Sequence, residues 1–233
     1  MKKSILAALS ACCLCCPAIA PFSAIAAEAP TVKDIIERFD KAQASAESLR
    51  APITLTIKRS MLQSPSVSKG TLYISGSEFA HLAFAHPDDL VMHITNRSLV
   101  SYSASEKKCE VVKIRLAKKV DRKALALGQK LPFISDYFKL ESSAPADRPG
   151  DFMLTLRPRS ISLRKKIELI RIWVDSKTSL PKSVLWIERG GDSWQLDIGT
   201  IQAGAQIPAS ARNFALPAGA APSKGFSFFR VGE

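Results

Sequence analysis

The side chains most capable of chemistry in this sequence are a serine beside an acid, three histidines and one dense run of cations. Gly191-Asp192-Ser193 is the nearest approach to a serine-hydrolase nucleophile motif. Such a serine needs a histidine base, and geometry rather than chain order defines the triad. The only histidines are His81, His86 and His93, all far upstream. Ser193 also falls on a hairpin shoulder, with no following helix to form a nucleophile elbow. As metal ligands the histidines are spaced by five and seven residues, which is not the spacing of the helical zinc signatures. On an unbroken strand His81 and His86 face opposite ways. Asp88-Asp89 beside Pro87 reads as a polar turn, and neither a glycine-rich phosphate loop nor a Cys-x-x-Cys pair occurs after residue 26. The chain reads as a non-enzyme with no metal and no cofactor. Arg157, Arg159, Arg164, Lys165 and Lys166 remain, dense enough to form a patch for anionic partners such as lipid headgroups.

The elements that would carry these residues are strands. From Val67 to Tyr102 the pattern gives Val67-Ser75, Glu78-Ala85, Leu90-Ile94 and Ser98-Ser103. In the second, Ala80, Leu82 and Phe84 point one way, and Phe79, His81 and Ala83 the other. Both faces are largely apolar, so the sheet is covered on both sides or curls round an apolar cavity. Upstream, Val32, Ile35, Ile36, Phe39 and Ala42 make one stripe of a helix over Thr31 to Leu49, with Thr31 and Asp34 as a capping pair. Pro52 then opens a strand in which Ile53, Leu55 and Ile57 alternate with polar residues. Downstream, Lys108 to Arg115 is a strand, and Asp121 to Leu127 a short helix ended by Gly128. Leu131 to Phe138 holds a second helical turn. Asp151-Leu156, Lys166-Asp175, Ser183-Glu188 and Ser193-Ile198 are strands again, the last two joined at Gly190-Gly191.

The address is written in the first residues. Lys2-Lys3, the apolar run Ile5 to Ala20 and the small-x-small site Ala24-Ile25-Ala26 make a bacterial-type signal peptide over residues 1–26. Residues 27–233 then form one domain of a periplasmic protein. Cys12, Cys13, Cys15 and Cys16 leave with the leader, so Cys109 stays alone and no internal disulfide forms. Leu9-Ser10-Ala11-Cys12 offers a competing lipidation site, which would anchor the chain to a membrane. The net charge of +12 falls to +10 on loss of Lys2 and Lys3. A basic protein in that compartment meets anionic lipid or acidic protein rather than nucleic acid.

Several stretches together resemble the periplasmic outer-membrane lipoprotein carriers (LolA-like). They are Gly70-Thr71-Leu72-Tyr73-Ile74, His86-Pro87-Asp88 and the hairpin Val91 to Tyr102. Asp136-Tyr137-Phe138, Phe152 to Pro158 and Phe214 to Gly219 follow in the family's order. The resemblance implies a mainly β fold with helices: an unclosed, strongly curved antiparallel half-barrel of about eleven strands with a helical lid. It implies a monomeric carrier that takes acylated lipoproteins from an inner-membrane exporter and hands them to an outer-membrane acceptor. The acyl cavity would be walled by Leu55, Ile57, Leu72, Ile74, Leu82, Phe84, Met92, Val100, Tyr102 and Trp173. The lid would be Leu125, Leu127, Leu131, Phe133 and Ile134. Leu82 stands where the family commonly has an aromatic. Gly76 stands where the best-known carriers have the arginine that latches the lid, so no latch carries over. A membrane-anchored receptor or envelope sensor on the same fold, and a basic envelope lipid-binding module, are the other readings.

Overall fold

Strand β1 (Ser48–Lys58) sets the frame. Its odd residues Leu49, Ala51, Ile53, Leu55 and Ile57 are buried while Arg50, Pro52 and Lys58 are exposed. That is the period-2 pattern of a strand with one face turned to a core. The structure, a computed structural model, describes residues 30–44, 47–76, 78–86, 88–95, 97–113 and 138–223. The leader over 1–26, the five lid residues and the Phe226-Phe229 tail fall outside the described residues.

Helix α1 (Val32–Ala44) precedes β1. Its first turn is closed as expected: Asp34 Oδ2 accepts from Thr31 N and Oγ1 at 3.1 and 2.8 Å, and Asp34 N donates to Thr31 Oγ1 at 3.2 Å. The helix stops earlier than the sequence reading placed it, because Leu49 belongs to the strand alternation. Pro52 therefore lies inside β1, not at its start. Its carbonyl accepts from Gly199 N at 2.8 Å, just past the last β1–β11 pair at Ile53 and Ile198. Its missing N–H points to the same side, between β11 and β12, where no ladder bond is lost.

The remaining strands are β2 (Ser66–Ser75), β3 (Phe79–Phe84), β4 (Leu90–Thr95), β5 (Ser98–Ser103), β6 (Lys108–Lys113), β7 (Phe138–Ser143), β8 (Asp151–Pro158), β9 (Ile167–Asp175), β10 (Pro181–Glu188), β11 (Ser193–Ile198), and the two-residue β12 (Gln202–Ala203) and β13 (Ala221–Pro222). They form one sheet in the order β13-β6-β5-β4-β3-β2-β1-β11-β10-β9-β8-β7, with β12 beside the start of β1. Pairing is antiparallel except between β13 and β6. The two ends of this path, β7 and β13, do not meet, so the sheet is an open half-barrel with eleven strands of six residues or more. Two register shifts between β10 and β9, with Lys182 the extra residue at Pro181/Ser183 and Glu168 the extra residue at Ile187/Glu188, are of the kind that adds local twist. β7 is a strand the sequence reading missed. Phe138, placed there in a helical turn, instead begins this edge strand and pairs with Pro158.

Register assigns each residue to a face. The face on which α1 lies, called inner here, carries Leu72, Ile74, Ala80, Leu82, Phe84, Leu90 and Met92 beside the odd residues of β1. Across β11 to β8 it continues with Leu196, Ile198, Val184, Ile170, Leu154 and Leu156. Ile35 and Phe39 of α1 pack on the β8–β9 part. On the outer face, the chain after β12 crosses β3, placing Ile207 and Ala211 against Phe79.

Candidate functional site

The inner face is the one continuous apolar surface built by the described strands. Of the ten wall residues expected, Leu55, Ile57, Leu72, Ile74, Leu82, Phe84 and Met92 lie on it, all buried. Gly70 sits among them opposite Phe84. A Cβ there would collide with the Ala83 carbonyl and the Phe84 ring, so glycine lets that ring lie flat on the sheet.

Val100, Tyr102 and Trp173 are on the other face. Met92 pairs with Ser101 and Ile94 with Leu99, so the inner residues of β5 are Leu99, Ser101 and Ser103. A strand shifts its whole side-chain set with one residue of register. Trp173 pairs with Met153 and Ser183 on the outer side, where the Arg148 guanidinium stacks 4.6 Å from its ring centre. Beyond Phe84, the strand aromatics that reach the inner face include Trp194, Trp186, Phe152 and Phe138. No cue in the sequence separated these from Trp173, because β9 and β10 are apolar on both sides.

One cavity opens on the inner face where α1 ends, lined by Phe39, Leu49, Leu72, Ile74, Pro181 and Ile198 among others. Its volume is about 20 Å³, room for about one water. An acyl chain would enter only if Phe39 and the strands beneath it moved apart. Polar groups on this face are few. Ser68 Oγ donates to Asp88 Oδ2 at 2.7 Å, and Ser101 Oγ is buried without a partner among the described residues.

The histidines do not converge. His81 and His93 pair across β3 and β4 on the outer face, with Nδ1 atoms 3.2 Å apart. One ring must donate and the other accept, so at least one stays neutral. Phe214 stacks 5.4 Å from one ring and 5.3 Å from the other. Burial, then the neighbouring His93, lowers the His81 pKa to about 4, and burial also lowers that of His93. His86 lies apart in the β3–β4 turn, with Nδ1 3.7 Å from Asp89 Oδ2. Among the described residues no cluster of three or more His, Cys, Asp or Glu could hold a metal. Ser193 is on β11, about 14 Å from β3 across two intervening strands. Its neighbour Asp192 instead accepts from Ser60 N and Oγ. Gly76, at the expected latch position, has φ of 41° and donates its N–H to Glu47 O at 2.9 Å. The turn itself therefore favours glycine there.

No family model and no curated protein of similar sequence matches the chain. Solved structures do. An uncharacterised conserved protein from Thermus thermophilus is similar at 10% identity and a TM-score of 0.48, over 82% of this chain and 97% of that one. A LolA superfamily protein from Nitrosomonas europaea is similar at 12% identity and 0.40, over 77% and 96%. A lipoprotein-sorting protein domain from Vibrio parahaemolyticus is similar at 12% and 0.43, over 76% and 94%. These likenesses are ones of fold.

Proposed function

We propose that the protein is an envelope carrier that binds the acyl chains of lipoproteins against the inner face of its half-barrel. The observation that carries this reading is that face itself. It runs apolar from Met92 on β4 to Leu154 on β8, with α1 laid across only part of it. Burying a chain there gains roughly 0.8 kcal/mol per methylene, enough over a few methylenes to offset parting Phe39 from the strands. The signal-peptide pattern of residues 1–26 supports a periplasmic location, and the resemblance supports a donor at the inner membrane and an acceptor at the outer one. No catalytic residue takes part, and the side chains act by size and apolarity alone.

Mixing the purified protein with a synthetic triacylated lipopeptide tests this. The expected product is a soluble one-to-one complex, accompanied by a change in the fluorescence of Trp186 and Trp194, which face the same side. Ala51→Val, whose two added methyl groups take up the small cavity beside Phe39, is expected to weaken binding several-fold while the protein stays folded. A folded protein that leaves the lipopeptide in micelles would refute the reading.

A further inference from the structure

Three loops meet at the end of the sheet opposite the cavity: 59–65 between β1 and β2, 159–166 between β8 and β9, and 189–192 between β10 and β11. They are joined into one rim. Ser60 N and Oγ donate to Asp192 Oδ1 at 2.8 and 2.9 Å, and Arg189 N donates to Lys166 O at 2.9 Å. Within 159–166, Ser160 caps a helical turn, its Oγ accepting from Leu163 N, while Arg164 Nη2 donates to Arg159 O at 2.9 Å.

This tied rim holds apolar side chains in water. Five large apolar residues are exposed among the described ones, and three of them stand here: Met61 at 94%, Leu62 at 61% and Ile161 at 69%. Scattered singly they would need no explanation. Around them are Lys58, Arg59, Arg159, Arg164, Lys165, Lys166 and Arg189, against Glu168, Glu188 and Asp192. The Arg59 guanidinium lies over the Trp194 ring, 5.9 Å from its centre, at the base of the loop that carries Met61 and Leu62.

We infer that this rim docks on an anionic phospholipid bilayer, the cations meeting lipid phosphates while Met61, Leu62 and Ile161 enter between the headgroups. Apolar side chains that project from loop tips, ringed by Lys and Arg, match the two-part chemistry of a bilayer interface: charge attraction at the surface, apolar burial just below it. A protein partner would more naturally be met by apolar residues lining a groove than by side chains this exposed on loop tips. The inference uses none of the inner-face residues and stands apart from the acyl-binding reading. It places the cavity end away from the membrane while the rim is docked.

Flotation with protein-free vesicles tests it, comparing phosphatidylcholine alone with phosphatidylcholine–phosphatidylglycerol at low salt and at about 0.5 M salt, where the screening length is only a few ångströms. Wild type should bind the anionic vesicles about tenfold or more tightly than the neutral ones, and lose most of that preference in high salt. Lys165→Glu with Lys166→Glu should lose about tenfold, Lys165 being exposed and Lys166 half-buried where the rim meets β9. Met61→Ser with Leu62→Ser should keep low-salt capture but lose several-fold of the binding that survives salt. All variants share one N-terminus, so differences among them belong to the rim. Equal binding to both vesicle types, or unchanged binding by both double variants, would overturn the inference. Capture by polyglutamate with no vesicle binding would do so too, and would assign the rim to an acidic protein. Because no lipopeptide is present, each of these results leaves the acyl-binding test independent.

Discussion

β3 is covered on both faces, together with the adjoining parts of β2 and β4, yet the two faces are built differently. Inward, Leu72, Ile74, Ala80, Leu82, Phe84 and Met92 are wholly apolar. Outward, Phe79 and Tyr73 enclose the His81–His93 pair under Phe214 and Ile207. On the acyl-carrier reading proposed above, parting these inner residues would cost non-directional contacts, which a bound acyl chain would restore. The outer face is joined by a hydrogen bond between rings, and opening it would strand a buried polar group. The proposed function uses the inner side for loading, and the outer side is a seam of aromatic and imidazole contacts between β3, β4 and the C-terminal crossing.

Three measurements bear on that contrast, and the largest effect belongs to the inner face. Leu82→Ala leaves a cavity at a site only 3% exposed and should lower unfolding free energy by about 2–5 kcal/mol. Chemical denaturation checks this, and a loss below 1 kcal/mol would mean the face is already loose in the free protein. Next is Gly70→Ala, whose methyl meets backbone and the Phe84 ring on the same face. It should cost about 1–3 kcal/mol by overpacking. An unchanged midpoint would show that Phe84 can swing aside.

The smallest effect at neutral pH belongs to the outer pair, because both histidines are neutral there. With His81 held near 4 in the fold against an ordinary value of 6.5, the unfolded chain takes up the proton first as pH falls. Stability should be level above about pH 7 and decline from about 6.5 toward 4. His81→Leu with His93→Leu should flatten thermal midpoints across that window. If the double variant declines just as wild type does, carboxylates and not the histidines set the acid limit. Asp34, Glu141 and Asp175, whose pKa values are lowered chiefly by hydrogen bonds from Thr31, Lys139 and Thr178, begin to lose their contribution as pH falls into the usual carboxylate range and lose the rest below it.

Much of this was legible in the chain. The stripe on α1 and its Thr31–Asp34 cap were readable from spacing alone, because capping and amphipathic periodicity are local. The strands from β2 to β5, and which residues within each share a face, followed from alternation within each strand. Alternation has no absolute sign, however. β5, with Leu99 and Val100 adjacent, and β9, with Leu169 and Ile170 adjacent, carry apolar residues on both sides. Which set turns inward depends on the partner's register, so Val100, Tyr102 and Trp173 were placed on the wrong face. β7 was missed because an edge strand with Lys139 and Glu141 outward carries little apolar signal.

By itself the sequence determined the class of fold: many strands, apolar on both sides, after one capped helix, with too few catalytic groups near one another along the chain to suggest chemistry. Those are consequences of local propensity and hydrophobic pattern, which each segment carries in its own residues. Only the tertiary structure decided which face is inner, that His81 and His93 meet, and that residues 59–65, 159–166 and 189–192 form one rim. Each of these joins residues on different strands through hydrogen-bond register, a quantity no single segment contains.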